Sequence, residues 1–283
     1  MAMEFQPVGG VLGAQVHGLD LTGDQPAAIW EQLRRAVMER CLLLFREDSL
    51  SPTQLVAFAN ALGPVMEHVS AKSSQFILPE APNVHLVSSG PNGARYAGQA
   101  WHSDYAYIEN PAQLTCFYMR KTPAVGGDTA FANMYAAYDA LSERMKVMLE
   151  GLEVVNNNAY RHRLQYLAED APISKSDLGV HPPVKHPLVM THPVTGRKAL
   201  YVSEALTESI IGIPPRESMA LLAFLFEHCA NPEFVYRHVW QTNDLIVFDN
   251  RCTTHRAIAD YDMDEVRELL VVCVRDEAVR VGA

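Results

Sequence analysis

The chain has 283 residues, 48% hydrophobic and 20% charged, which supplies a sizeable core and argues against disorder. Its formal net charge of -10 argues against nucleic acid as the main partner, because phosphate binding asks for a basic surface. No apolar run approaches the roughly 20 residues of a membrane span, and the opening residues lack the basic-then-apolar pattern of a secretory signal.

In chain order, a helix is predicted over Gln25–Arg40, with Asp24 as its N-cap and Pro26 in its first turn. Leu42-Leu43-Leu44-Phe45 is short and wholly apolar, like a strand buried on both faces. Ser51-Pro52-Thr53-Gln54 opens a second helix, with a cap residue, proline at the first helical position and Gln three after the cap. Short strands are predicted at Val84–Ser88, Leu114–Met119, Thr129–Ala132, Leu188–Thr191, Leu200–Val202, Phe234–His238, Leu245–Phe248 and Leu269–Val274. Pro193-Val194-Thr195-Gly196 reads as a hairpin turn between two of them. Further helices are predicted over Tyr135–Glu150, ending before Gly151, and Arg216–Cys229. Val155–Lys185 has little periodicity and reads as a lid or binding loop. Many short strands with a few flanking helices point to a mainly β fold on a double-sheet jelly-roll core. With no repeat or linker, one domain over residues 1–283 is the simplest organisation. The five cysteines are scattered, odd in number and without a Cys-x-x-Cys pair, which suits a reducing cytoplasm.

Trp101-His102-Ser103-Asp104 carries two ligand-capable side chains at i and i+2, positions that share a face on a strand. His255 follows far downstream, after Asp249-Asn250-Arg251, and a jelly roll can bring such distant segments to one barrel mouth. Two histidines and one carboxylate leave three octahedral positions open, the arrangement of non-haem Fe(II) oxygenases. A single His-x-Asp also arises by chance on a polar edge strand, and eleven histidines guarantee a third somewhere, so the neighbouring motifs decide. Gly126-Gly127-Asp128-Thr129 is either an ordinary glycine-rich turn or one that aims the Thr129 hydroxyl at a carboxylate. Arg267 is either a surface partner of Asp264 or Glu265, or a buried guanidinium that holds the far end of a dicarboxylate bidentately. Tyr105 and Tyr107, either side of Ala106, line a pocket or pack the core. His181, His186 and His192 each precede proline and read as structural rather than as a second metal site.

Taken in order, these motifs resemble the taurine and chlorophenoxyacetate dioxygenases, which couple substrate oxidation to decarboxylation of 2-oxoglutarate. The resemblance runs from Val11-Leu12-Gly13-Ala14 and Gly18-Leu19-Asp20-Leu21 through Trp101–Asp104, Gly126–Thr129, His186-Pro187-Leu188-Val189 and Thr191-His192-Pro193. It ends at Phe234–His238, Asp249-Asn250-Arg251-Cys252 and His255-Arg256. It implies a double-stranded β-helix, Fe(II) held by His102, Asp104 and His255, and 2-oxoglutarate and O2 as cosubstrates. It further implies Thr129 and Arg267 on the distal carboxylate of 2-oxoglutarate, His68 in the substrate pocket, and a dimer or tetramer acting on a small molecule. An intact carboxylate at Asp104 implies hydroxylation or desaturation rather than halogenation. One position departs from the pattern. Many relatives carry a second arginine four residues after the cosubstrate arginine to grip an anionic substrate head, and here Val271 stands there. Valine cannot donate to an anion, and an unpaired buried anion is costly, which leaves Lys72, Arg161 or Arg163 to take over from other loops. Gly98, ahead of the metal motif, implies a roomier pocket. Two other classes compete: a non-catalytic module that binds metal or 2-oxoglutarate, and a metal-dependent hydrolase or isomerase, which has no need of Thr129 and Arg267.

Overall fold

Strand β3 (Leu42–Phe45) belongs to two cores at once. Leu42 and Leu44 cluster with Phe117, Phe131, Ile246 and Phe248, while Leu43 and Phe45 cluster with Leu33, Leu55, Phe58 and Val247. A strand covered on both faces has no polar side to present, hence its four consecutive apolar residues. The computed structural model describes residues 3–46, 49–67, 77–89, 98–158, 181–262 and 264–275. Among them the chain is mainly β with few helices, its strands and α-helices numbered here in chain order.

The largest sheet has eight strands. They lie side by side as β1 (Glu4–Pro7), β2 (Ala14–His17), β3, β14 (Leu245–Asp249), β6 (Leu114–Lys121), β16 (Arg267–Val274), β5 (Ala81–Ser89) and β4 (Ile77–Leu78). Helices α1 (Ala27–Arg40) and α2 (Pro52–Leu62) cover its outer face through Leu33, Val37, Leu55 and Phe58. Against its inner face lies a sheet of β13 (Val235–His238), β7 (Thr129–Asn133) and β15 (Thr253–Ala257). Phe131 on β7 and His255 on β15 touch Phe248 of the large sheet, so the site sits between the two sheets. The inner core is completed by α3 (Met134–Asp139), the hairpin of β10 (Val189–Thr191) with β11 (Lys198–Leu200), and α5 (Pro215–Cys229). A third sheet pairs β12 (Thr207–Ile210), β8 (Glu153–Asn156) and β9 (Val184–Pro187).

Several expectations hold and several need correction. Helix α2 opens with the full capping box, Ser51 accepting from the Gln54 backbone and Gln54 reaching back to the Ser51 N–H. Helix α1 begins later than expected, with Pro26 rather than Asp24 at its N-cap and no side-chain cap bond. The local turn is made instead by Asp20, which accepts from the backbone and hydroxyl of Thr22. The helix predicted over Tyr135–Glu150 is two: α3 and α4 (Glu143–Leu149). Ser142 breaks it, because its hydroxyl accepts from Met145 N and caps a new helix there. Strands β1, β2, β4, β8, β9, β12 and β15 are not among the expected ones. The ends of the predicted Val155–Lys185 loop are in fact paired strands, with Val155 opposite Lys185; residues 159–180 of it lie outside the described residues.

Candidate metal centre

His255 lies on β15, whose partner β7 sets Phe131 directly opposite it. Its ring is walled by Phe117, Phe131 and Phe248, with centroids 5.2, 6.0 and 4.9 Å away. Such a wall keeps water from the side of the imidazole away from the opening. His102 is not on a strand of its own, as the i, i+2 pattern suggested; it forms an isolated antiparallel bridge with His255. The two residues exchange backbone hydrogen bonds, His102 N to His255 O and His255 N to His102 O, both 2.9 Å. Residues 153 positions apart are thereby locked side by side, with ring centroids 4.3 Å apart. The His102 Nδ1 lies 2.9 Å from the Ala100 carbonyl, and this contact turns Nε2 toward Asp104. Gly98, at φ +79°, passes so close that a Cβ there would stand 3.2 Å from His102 Cε1. The glycine therefore makes room for the ligand ring itself.

Asp104 starts a turn, with Tyr105 after it in the left-handed region at φ 56°, so strand geometry does not aim its carboxylate. Hydrogen bonds do. Asn250 Oδ1 accepts from Asp104 N at 2.9 Å, Asn250 Nδ2 donates to Thr115 Oγ1 at 2.8 Å, and Thr115 Oγ1 donates to Asp104 Oδ2 at 2.9 Å. This closed ring engages one carboxylate oxygen and leaves Oδ1 3.9 Å from the Nε2 of both His102 and His255. Asn250 is itself placed by the turn after β14, where Asp249 accepts two bonds from the Arg251 guanidinium and faces His192 Nε2 at 3.1 Å. Burial opposes the charge on Asp249, but Arg251 and His192 hold its carboxyl well below the usual range. The other His192 nitrogen, Nδ1, accepts from Val194 and Thr195 in the β10–β11 turn, which ties that hairpin to the site.

His102, Asp104 and His255 thus form a group whose ligand atoms all lie within 4.8 Å of one another, able to hold one metal ion. Two metal–ligand bonds of about 2.1 Å reach across about 4.2 Å, so 3.9 Å between Asp104 Oδ1 and each imidazole suits a shared ion. His102 and Asp104 each have one polar atom engaged by protein and the other turned to the common point. The residues present fit a metal.

At the head of β7, two residues before Phe131, Thr129 meets Arg267. Both are buried. Arg267 Nε donates to the Gly127 carbonyl at 2.8 Å and Nη2 to Thr129 Oγ1 at 3.2 Å, so it is not a surface partner of Asp264 or Glu265. Both of these acceptors are neutral, and burial lowers the guanidinium pKa. Asp128 and Tyr261 act in the opposite direction on its charge, more weakly than burial. Trp240 Nε1 also donates to Thr129 Oγ1, at 2.9 Å.

Tyr105, Ile108 and Val271 pack against the buried Met66, Ala112 and Cys273, an apolar wall beside Asp104. His186 and His192 are engaged with the Ile108 carbonyl and Asp249, and His181 meets the Tyr107 ring at a tilt, centroids 5.3 Å apart, in keeping with structural roles. His68, Lys72, Arg161 and Arg163 lie outside the described residues. Sequence reasoning gave no role to Thr115, Asn250 or Trp240. The one available signal was Thr115, a hydroxyl within the apolar run Leu114–Met119.

The fold and donor set define a class, mainly β proteins with a two-histidine, one-carboxylate centre. The family model described as taurine catabolism dioxygenase TauD, TfdA family matches residues 4–273. The alpha-ketoglutarate-dependent 2,4-dichlorophenoxyacetate dioxygenase of Cupriavidus pinatubonensis is 34% identical over 291 residues, covering 99% of this chain and 100% of that one. The (S)-phenoxypropionate/alpha-ketoglutarate-dioxygenase of Sphingobium herbicidovorans is 33% identical, covering 94% and 92%. The solved structure of AAD-2 with Mn(II) and N-oxalylglycine superposes with a TM-score of 0.83 at 29% identity, covering 97% of this chain and 98% of that one. The chain belongs to the TauD/TfdA family and is a dioxygenase, an oxidoreductase.

Proposed function

We propose that the protein is an Fe(II)- and 2-oxoglutarate-dependent dioxygenase of the cytoplasm that hydroxylates or desaturates a small organic substrate. His102, Asp104 and His255 are its iron ligands. The observation that carries this is a two-histidine, one-carboxylate group including His255 of β15, together with a buried arginine that hydrogen-bonds neutral acceptors at Thr129 and Gly127 at the head of the neighbouring strand β7. Zinc sites of comparable donor number serve hydrolysis, a reading that gives the Thr129–Arg267 pair no keto diacid to hold. When bound, Fe(II) supplies activation of O2, coupled to conversion of 2-oxoglutarate to succinate and CO2. Arg267 and Thr129 bind the carboxylate of 2-oxoglutarate far from the metal and so orient its 2-oxo acid end toward the ligand triad. Phe117, Phe131 and Phe248 keep the metal side of the cleft dry. Tyr105, with Ile108, Val271 and Met66, forms the substrate-facing wall, and His68 completes the substrate pocket.

Curated relatives act on aryloxyalkanoates by name, and an apolar wall suits an aromatic or aliphatic body. Val271 offers nothing to an anionic head, so a carboxylate or sulfonate substrate depends on Lys72, Arg161 or Arg163. The large sheet and the β13-β7-β15 sheet are the two faces of a double-stranded β-helix in a single domain, a reading supported by antiparallel pairing throughout the smaller sheet and everywhere but β2–β3 in the larger, and by the aromatic core between them. The five free, buried cysteines suit a reducing cytoplasm.

The test is a screen of aryloxy acids, sulfonates, amino acids and small amines for stimulated succinate release by iron-loaded protein. Turnover should require Fe(II), 2-oxoglutarate and O2 together. A substrate consumed equally well under strict anaerobiosis would instead mark a hydrolase or isomerase.

A further inference from the structure

We propose that Trp240 is a positioning residue: its indole N–H fixes the Thr129 hydroxyl so that the hydroxyl proton points at the far carboxylate of 2-oxoglutarate. The inference rests on the cosubstrate reading above and deepens it.

A threonine hydroxyl has one proton to give and two lone pairs to accept with. At Thr129 both lone pairs are engaged, by Trp240 Nε1 at 2.9 Å and Arg267 Nη2 at 3.2 Å. Neither an indole N–H nor a guanidinium can accept, so the Thr129 proton cannot be directed at either. It must go to a third partner, and that partner must be an acceptor. Thr129 is 2% exposed, which leaves little room for bulk water in that role. The neighbouring Arg267 charge selects an anion, and a carboxylate takes a guanidinium and a hydroxyl at once. Two donors on one oxygen also polarise its O–H bond and strengthen what it donates.

The indole is held in place. Trp240 is buried and meets the His238 ring edge-on, with centroids 4.6 Å apart at 84°. His238 in turn faces Asp244 Oδ2 and the Tyr236 hydroxyl through its two nitrogens, each at 2.9 Å. The N–H direction is therefore set by β13 and the turn after it before any ligand arrives.

The experiment uses full-length protein loaded with Mn(II), with 2-oxoglutarate binding followed by calorimetry. Trp240→Phe keeps the ring that packs on His238 and removes only the N–H. Its Kd for 2-oxoglutarate should rise roughly five-fold, the loss of about one neutral hydrogen bond, with Mn(II) affinity unchanged. Thr129→Val should weaken binding too. Adding Trp240→Phe to Thr129→Val should then cost nothing further, because both act through one hydroxyl. A merely structural tryptophan would give additive losses, and additive losses or an unchanged Kd in Trp240→Phe would overturn the proposal. A second measurement uses wild-type protein alone, loaded with Zn(II) and labelled at tryptophan nitrogen. The indole resonance showing contact with the Thr129 methyl should shift when 2-oxoglutarate is added; a resonance that stays put under saturation sinks the idea. Wild-type protein that binds no 2-oxoglutarate would instead overturn the cosubstrate reading itself, so the two failures are distinct.

Discussion

Asp104 reaches the metal position because Thr115 and Asn250 hold it there, and Thr115 is the more exposed to test. Its hydroxyl is the donor to Asp104 Oδ2, a hydrogen bond to a charged group that contributes about 1.5–3 kcal/mol. Thr115→Val keeps the shape and deletes the donor, leaving the carboxylate free to rotate away from the imidazoles. Metal affinity should fall about 10- to 100-fold, the usual scale for losing a group that orients a ligand, while Thr115→Ser should restore most of it. Mn(II) titration followed by electron paramagnetic resonance reads this directly, and equal affinity in Thr115→Val and wild type would remove Thr115 from the role. The grouping of His102, Asp104 and His255 and the Thr129–Arg267 contact were legible from sequence because their types and order match a family pattern. Thr115 was not. A lone hydroxyl in Leu114–Met119 is as compatible with packing as with function until the register with Asn250 is known.

At the scale of elements, legibility followed the strength of local signals. The run Leu42–Phe45 and the capping box Ser51–Gln54 carry their reasons within four residues, and both are found as read. Strand β15 carries no such signal. Thr253, Thr254 and His255 are all buried although polar, so neither alternation nor an apolar run marks them. The Thr253 hydroxyl is satisfied by the Cys41 carbonyl and the His255 backbone pairs with His102, contacts that exist only once the sheets have met. The i, i+2 spacing singled out His102 and Asp104, which do come together with His255, but for the wrong local reason, since a turn with Tyr105 at positive φ replaces the expected strand. Strand β9 carries a pH prediction. His186 is buried against the Ile108 carbonyl, and burial lowers its pKa below the usual 6.5. Below that value the unfolded chain takes up a proton that the folded state resists, so stability present above pH 6.5 is lost on acidification. His186→Gln removes this titration. Its melting temperature should therefore fall less than that of wild type between about pH 7 and pH 5, as followed by circular dichroism. Parallel declines in the two proteins would contradict the assignment.

For the whole molecule, the charge pattern and the topology serve one arrangement. In a chain of net charge -10, the buried guanidinium of Arg267 makes its hydrogen bonds to neutral acceptors, which suits the anion-binding role proposed for it. Arg267 at the head of β16 reaches Thr129 on β7, and β7 pairs with β15, which carries His255, so the buried arginine and the two-histidine, one-carboxylate group are tied to one pair of strands. The most direct test is anaerobic addition of Fe(II) and then 2-oxoglutarate to wild-type protein, followed by visible absorption. A charge-transfer band should appear and saturate at one iron and one 2-oxoglutarate per chain, and His102→Ala should not show it. Wild-type protein that binds both yet stays colourless would mean that the keto acid does not chelate the metal, and the central claim would fail.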